Sequence, residues 1–243
     1  MRIALCLHGL FDSLTDSTSK GSNGFDYIKR NILDVADVDV FVHTWKANEQ
    51  VKDVIHNLYS PRISVFEEPK SFDEIIIPRE LNFLRGCPRP PHSVLSHLYS
   101  VSEVMKLPYI TNESYDVIIK SRFDLGQINR RTSGPGMQNP YPVQCINLLN
   151  EIESDKLYMA NWQHFNMGPA DMWFYGDSNV MGEFTKLYDF VIDNMYIGSE
   201  YHKFATNIEG NPGDLSNAIA MYKYWMMNNQ LWNKKITLDT TWE

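Results

Sequence analysis

The sequence predicts an α/β fold with a mainly parallel central sheet and helices on both faces. Short apolar runs at 3–7, 38–42, 63–66 and 117–119 are bounded by Gly or polar residues, as buried strands are. Segments with helical spacing of apolar residues separate them, the alternation expected of parallel strands joined by crossover helices. A chain of 243 residues with 43% apolar and 21% charged composition can bury a sizeable core. A single domain over 1–243 is expected.

Taken in order, run 3–7 ends in His8-Gly9 and reads as the first strand. Residues 11–23, rich in Ser, Thr, Asp and Gly, read as a loop. Phe25, Ile28, Ile32 and Leu33 mark a helix, and 38–42 is a second strand closed by His43-Thr44-Trp45. A short helix near 51–58 and a third strand near 63–66 follow. The Pro-rich stretch 61–91 reads as a surface excursion or an ordered insertion. Val94, Leu98, Val101 and Met105 trace a helix that starts at Ser93 and ends before Pro108. A strand at 116–121 precedes a polar loop at 126–142. Strands at 157–160 and 172–175 lead to helices at 178–195 and 214–228, the last opened by Pro212-Gly213-Asp214.

Composition excludes several functions. The net charge of −8 is wrong for a nucleic-acid backbone or an anionic lipid surface. Cys6, Cys87 and Cys145 form no CxxC pair and no zinc spacing, which suits a reducing, cytoplasmic setting. The opening apolar run is too short for a signal peptide, and no integral membrane segment is expected. Six Trp and 13 Tyr supply flat faces that stack on sugars and bases as readily as they fill cores.

The most informative stretch is Tyr-Asp-Val-Ile-Ile-Lys-Ser-Arg-Phe-Asp-Leu at 115–125. Its strand ends in Lys120, Arg122 and Asp124, which share one face when the backbone is extended. Two cations and a carboxylate at the carboxyl end of a buried strand suit a phosphorylated ligand. They also suit a solvated salt-bridge turn. A dinucleotide fingerprint G-x-G-x-x-G, a phosphate loop G-x-x-x-x-G-K-[ST] and a G-x-S-x-G elbow are all absent.

Gly9 after strand one, His43-Thr44-Trp45 after strand two and Arg122-Phe123-Asp124 after a later strand together resemble glycosyltransferases of the GT-A fold. More narrowly, the chain resembles viral and bacterial polysaccharide glycosyltransferases, including the WavE-like lipopolysaccharide group, over about residues 3–225. The resemblance implies transfer of a sugar from a nucleotide-diphosphate sugar, such as a UDP-sugar, to a carbohydrate acceptor in glycan synthesis. It divides the chain into a donor-binding half, about 1–125, and an acceptor-binding half, about 126–243. Gly9, Leu10, His43, Thr44, Trp45, Lys120, Arg122 and Asp124 are then donor-site candidates, although Trp45 fits a role as a cap on the sheet core equally well. The family signature has two carboxylates, D-x-D, where this chain has Arg122-Phe123-Asp124. Asp124 can hold Mn²⁺ or Mg²⁺ together with phosphate oxygens. Alternatively, Arg122 and Lys120 can neutralise the diphosphate themselves. Asp171, after Gly168-Pro169-Ala170 and among aromatic residues, is the candidate general base, or else a turn cap. Trp162, His164 and Trp173 are acceptor-site candidates. His8 and His43 should point toward the crevice, and Ser93, Ser96 and Ser100 share one helix face. A binding module without catalysis, a degenerate transferase domain, is the alternative function.

Overall fold

A computed structural model describes residues 1–11, 20–45, 47–81, 90–125, 152–161, 166–208 and 215–238. β1 (Arg2–Gly9) is apolar and buried through most of its length, so it needs cover on both faces and occupies the sheet interior. β2 (Asp37–Trp45) pairs with it in parallel from Arg2 opposite Asp37 to Gly9 opposite Thr44, and β3 (Ile63–Glu67) extends the sheet beyond β2. β4 (Val117–Arg122) lies along the other side of β1, inside the sheet as its uninterrupted Val117-Ile118-Ile119 run requires.

β5 (Leu157–Ala160), β6 (Trp173–Gly176) and β7 (Lys235–Leu238) complete the order β3-β2-β1-β4-β6-β5-β7. β6 pairs antiparallel with both β4 and β5, and every other pairing is parallel. One mixed, mainly parallel seven-stranded sheet therefore runs through both halves of the chain, and the fold class is α/β as predicted.

Strand alternation sorts the apolar residues into two cores. Ile3, Leu5, Leu7, Val40, Val42, Val117 and Ile119 face one side, covered by α1 (Lys20–Ile28), the π-helical turn Lys29–Leu33 and α2 (Glu49–Tyr59). Ala4, Cys6, Phe41 and Ile118 face the other side. There the Pro-rich stretch contributes α3 (Asp73–Ile76), followed by α4 (Pro91–Lys106), α5 (Ser178–Gly182), α6 (Leu187–Asn194), α7 (Glu200–Thr206) and α8 (Ala218–Asn228). α4 carries the thickest contact: Val94, Leu95, Leu98, Val101, Val104 and Met105 are all buried.

Some element boundaries differ from the sequence pattern. The segment 178–195 is two α-helices joined by a 3₁₀ turn over Glu183–Lys186. α8 begins at Ala218 and is capped by Asn217, whose side chain accepts from the backbone N–H groups of Ile219 and Ala220. The proposed cap Asp214 and the loop 126–142 lie outside the described residues. α3, α7 and β7 have no counterpart in the sequence prediction. β7 is four residues long and contains Lys and Thr, and only its parallel pairing with β5 makes it a strand. No helix among the described residues is long and apolar enough to cross a membrane.

Candidate functional site

From β1 the order runs through β2 and β3 in one direction, while β4 lies on β1's other side. Such a reversal leaves a crevice at the carboxyl ends of the flanking strands, the usual ligand position in open α/β sheets. His8 ends β1 here, level with His43 on β2 and Arg122 on β4, so three polar side chains form a row across three strands on the α4 face. His8 and His43 are fully buried. The chain then turns at Gly9, whose φ of 102° favours glycine, and an added Cβ would meet nothing within 4 Å. Leu10 follows, exposed.

α4 ties this row together. Ser100 Oγ accepts from the Gly9 N–H at 3.3 Å and lies 2.8 Å from His43 Nδ1. A hydroxyl has one proton and two lone pairs, so Ser100 can accept from Gly9 and still either donate to Nδ1 or accept from it, according to the His43 tautomer. Nε2 faces Glu67 Oε2 at 3.5 Å. Burial lowers the His43 pKa, with Glu67 opposing. Trp45 is buried, stacks on Tyr99 at 5.4 Å and meets the His43 ring edge-on at 5.0 Å. Thr44 alternates to the opposite face and is buried, with no hydrogen-bond partner for its hydroxyl among the described residues.

Arg122 stands between two carboxylates. Its Nε and Nη2 donate to Asp124 Oδ1 and Oδ2 at 2.8 and 2.7 Å, and its Nη1 is 3.6 Å from Asp171 Oδ1. Burial works against the guanidinium charge, but Asp171 and Asp124 outweigh it and raise the pKa above the ordinary arginine value. Arg122 keeps 31% of its side-chain surface exposed and so can meet an anion. Asp171 also faces His97, whose Nε2 lies 3.5 Å from Oδ2 and 3.2 Å from the Tyr222 hydroxyl. Asp171, expected among aromatic residues, sits in an ion-pair cluster with Arg122 of β4 and His97 of α4, beside Tyr222 of α8.

Two site predictions need correction. Lys120 does not reach the rim as a phosphate clamp. It lies one rung below Arg122, fully buried, and donates to the backbone carbonyl of Asp171. Its ammonium sits 5.1 Å from the Phe174 ring and 5.7 Å from the Tyr222 ring. Burial pulls its pKa down to about 7, with Asp171 opposing. Trp173 is not beside Asp171 in an open acceptor site either. It is fully buried on the α1–α2 face, stacked on Tyr175 at 5.7 Å, because its β6 neighbour Phe174 takes the Lys120 side. Trp162 and His164 lie outside the described residues.

His97 and Tyr222 were not site candidates in the sequence. The one hint was a polar stripe, Ser93, Ser96, His97 and Ser100, along an otherwise apolar helix. Ser93 and Ser96 line a cavity of about 410 Å³ with Pro69, Lys70, Ser71 and His92, while Ser100 is buried at the strand ends.

Both Asp124 oxygens accept from the Arg122 guanidinium, so a divalent cation on Asp124 would have to displace that pair. Among the described residues no group of three or more His, Cys, Asp or Glu side chains could hold an ion.

No protein-family model and no curated protein matches the chain. Two solved structures are similar at low identity. One, from Desulfovibrio desulfuricans G20, is assigned by its description to the nucleotide-diphospho-sugar transferases; it is 9% identical, with 98% of this chain and 79% of that chain covered and a TM-score of 0.42. The other is mouse xyloside xylosyltransferase 1 in its apo form, 10% identical, with 98% and 84% covered and a TM-score of 0.44. Likenesses this distant assign no residue a role.

Proposed function

We propose that this protein transfers a sugar from a nucleotide-diphosphate sugar to a carbohydrate acceptor. The observation that carries the reading is the convergence of Arg122, Asp124, Asp171 and His97 at the crevice where the strand order reverses. The resemblance of the Gly9, His43-Thr44-Trp45 and Arg122-Phe123-Asp124 segments to GT-A glycosyltransferases supports it from the sequence side.

In this reading the diphosphate rests on the exposed part of Arg122. Guanidinium–phosphate pairing is bidentate and charge-assisted, so no metal is needed to neutralise the leaving group. A ligand phosphate competes with Asp124 for the guanidinium, and Asp124 then releases one or both of its hydrogen bonds. Asp171 takes the proton of the acceptor hydroxyl as its oxygen forms a bond to the anomeric carbon. The carbon–oxygen bond to the diphosphate breaks, and the nucleoside diphosphate leaves with the bonding electrons. His97 holds the second Asp171 oxygen, and Lys120 holds the Asp171 backbone from beneath.

The test is a thermal-shift screen of nucleoside diphosphates and their sugar conjugates, with and without Mn²⁺ and EDTA, followed by donor hydrolysis. A ligand at a hundred times its dissociation constant adds about 2.7 kcal/mol of stability, which is readily seen. Stabilisation by one nucleotide class together with slow donor hydrolysis is expected. Stabilisation with no hydrolysis or transfer would favour the non-catalytic binding module, and no stabilisation would end the reading.

A further inference from the structure

We infer that His8 is a ligand-contacting residue that hydrogen-bonds a hydroxyl of the sugar nucleotide and helps set which sugar nucleotide is accepted. This rests on the nucleotide-sugar reading above and adds to the donor-site candidates a residue that the sequence only directs toward the crevice.

His8 ends β1 directly beside the reversal of strand order, paired in register with Arg122 on one side and His43 on the other. Its side chain is 1% exposed, and both ring nitrogens are buried with no hydrogen-bond partner among the described residues. Its ring contact, with His97 at 5.1 Å and 60°, is edge-on and satisfies neither nitrogen. Its neighbour in the row, His43, has Ser100 on Nδ1. Buried polar atoms nearly always have partners, so two orphans on one imidazole at a ligand crevice call for a partner from outside the chain.

The adjoining backbone provides an approach. Gly9 has open space where a side chain would stand, so a ligand can close on the end of β1 there. The surrounding charges define the chemistry. Burial holds the His8 pKa well below its ordinary value, and Lys120, His97, Arg122 and His43 push the same way. An uncharged imidazole offers one donor and one acceptor, which complements a hydroxyl, whereas Arg122 complements a phosphate. The row thus divides its work: the guanidinium reads charge, and His8 reads a hydroxyl of the ribose or of the transferred sugar.

An orphaned polar ring is a liability to the unliganded fold, and an apolar group of similar size removes it. His8→Leu is therefore expected to raise the melting temperature of the free protein by about 2–4 °C. The same variant should bind its nucleotide sugar about ten-fold or more weakly, the usual loss for a hydrogen bond removed from a specific site. The probes are UDP, GDP and CDP and their glucose, galactose or mannose conjugates, read by thermal shift against each variant's own baseline. His8→Phe, which keeps an aromatic ring but has no hydrogen-bonding atom, provides a second variant should the Leu form fold poorly.

Loss of the shift with both diphosphate and conjugate identifies the ribose hydroxyl. Loss of only the extra shift given by the conjugate identifies the transferred sugar. Either supports the inference. Wild-type shifts in both variants overturn it while leaving the nucleotide reading intact. If no probe shifts the wild type, the nucleotide reading falls and the role of His8 falls with it.

Discussion

Asp171 and Arg122 share an ion pair, yet their proposed tasks separate cleanly in experiment. A positioned base contributes about 10²–10⁴-fold to rate. Asp171→Asn keeps the shape of the side chain and its backbone bond to Lys120, so turnover should fall by about that factor while donor affinity stays nearly constant. Near-normal transfer by the Asn form would remove Asp171 from the chemistry. For Arg122 the comparison is with chelation. If the guanidinium is the main clamp, Arg122→Ala should weaken donor binding about ten-fold or more, and EDTA should leave the wild-type rate almost unchanged. Abolition by EDTA with a mild Arg122→Ala effect would install a metal in its place. At this scale the sequence showed the residue types and their spacing along β4. It did not show that Lys120 lies beneath the site or that His97 faces Asp171, because both depend on the helices that pack over the strand ends.

The elements that build the site were the most legible ones. β1, β2 and β4 are buried strands with continuous apolar runs, and α4 repeats apolar residues at helical spacing, so local pattern and final packing agree. The start of α8 was less legible, since Pro212-Gly213-Asp214 carries a good N-cap pattern but Asn217 makes the cap. Asn217→Ala should cost about 1 kcal/mol by leaving two backbone N–H groups unsatisfied, measurable by denaturant unfolding. A packing contact with no sequence signature links α1 to the site. A Cβ on Gly24 would fall well inside contact distance of the Phe123 carbonyl oxygen, in the turn that carries Asp124. Gly24→Ala should therefore destabilise the fold by about 1–3 kcal/mol and also weaken nucleotide binding. An unchanged midpoint in urea would show that α1 does not bear on that turn.

For the whole molecule, buried ionisable groups set the pH dependence. The Lys120 pKa falls from the ordinary lysine range to about 7 on folding, mainly through burial. Between about pH 7 and 10 the unfolded chain holds a proton there that the folded chain has released, so stability rises with pH, at most about 1.4 kcal/mol per unit. Burial pushes the Cys6 thiol up, which opposes this above about pH 8.5 as unfolded cysteine ionises. The melting temperature should therefore climb from about pH 7 to 8.5 in the wild type and stay flat in Lys120→Met. Equal slopes in the two proteins would mean that Lys120 keeps its proton. On the acid side, Asp39 and Asp177 have lowered pKa values; burial opposes both, but Tyr115 and Arg62 hold the first ionised and the backbone N–H groups of Val180 and Asp155 the second. Their contribution is full above the unfolded carboxylate range and is lost as pH falls through their folded values.

The sequence alone determined the α/β class, the interior position of β4 and the delivery of Arg122 to its end, with Asp124 in the turn just beyond the strand. Those follow from local periodicity and from the need to cover an apolar strand on both faces. It could not determine which residues from distant segments share the crevice. Ser100 and His97 on α4, Tyr222 on α8 and Asp171 before β6 meet β1, β2 and β4 only because the helices pack across the carboxyl ends of those strands. Nor could it separate Trp173 from Phe174 or Lys120 from Arg122, since a one-residue step along a strand changes the face and a two-residue step changes the depth. Tertiary packing settled those choices because burial and pairing act on positions in space rather than on order along the chain.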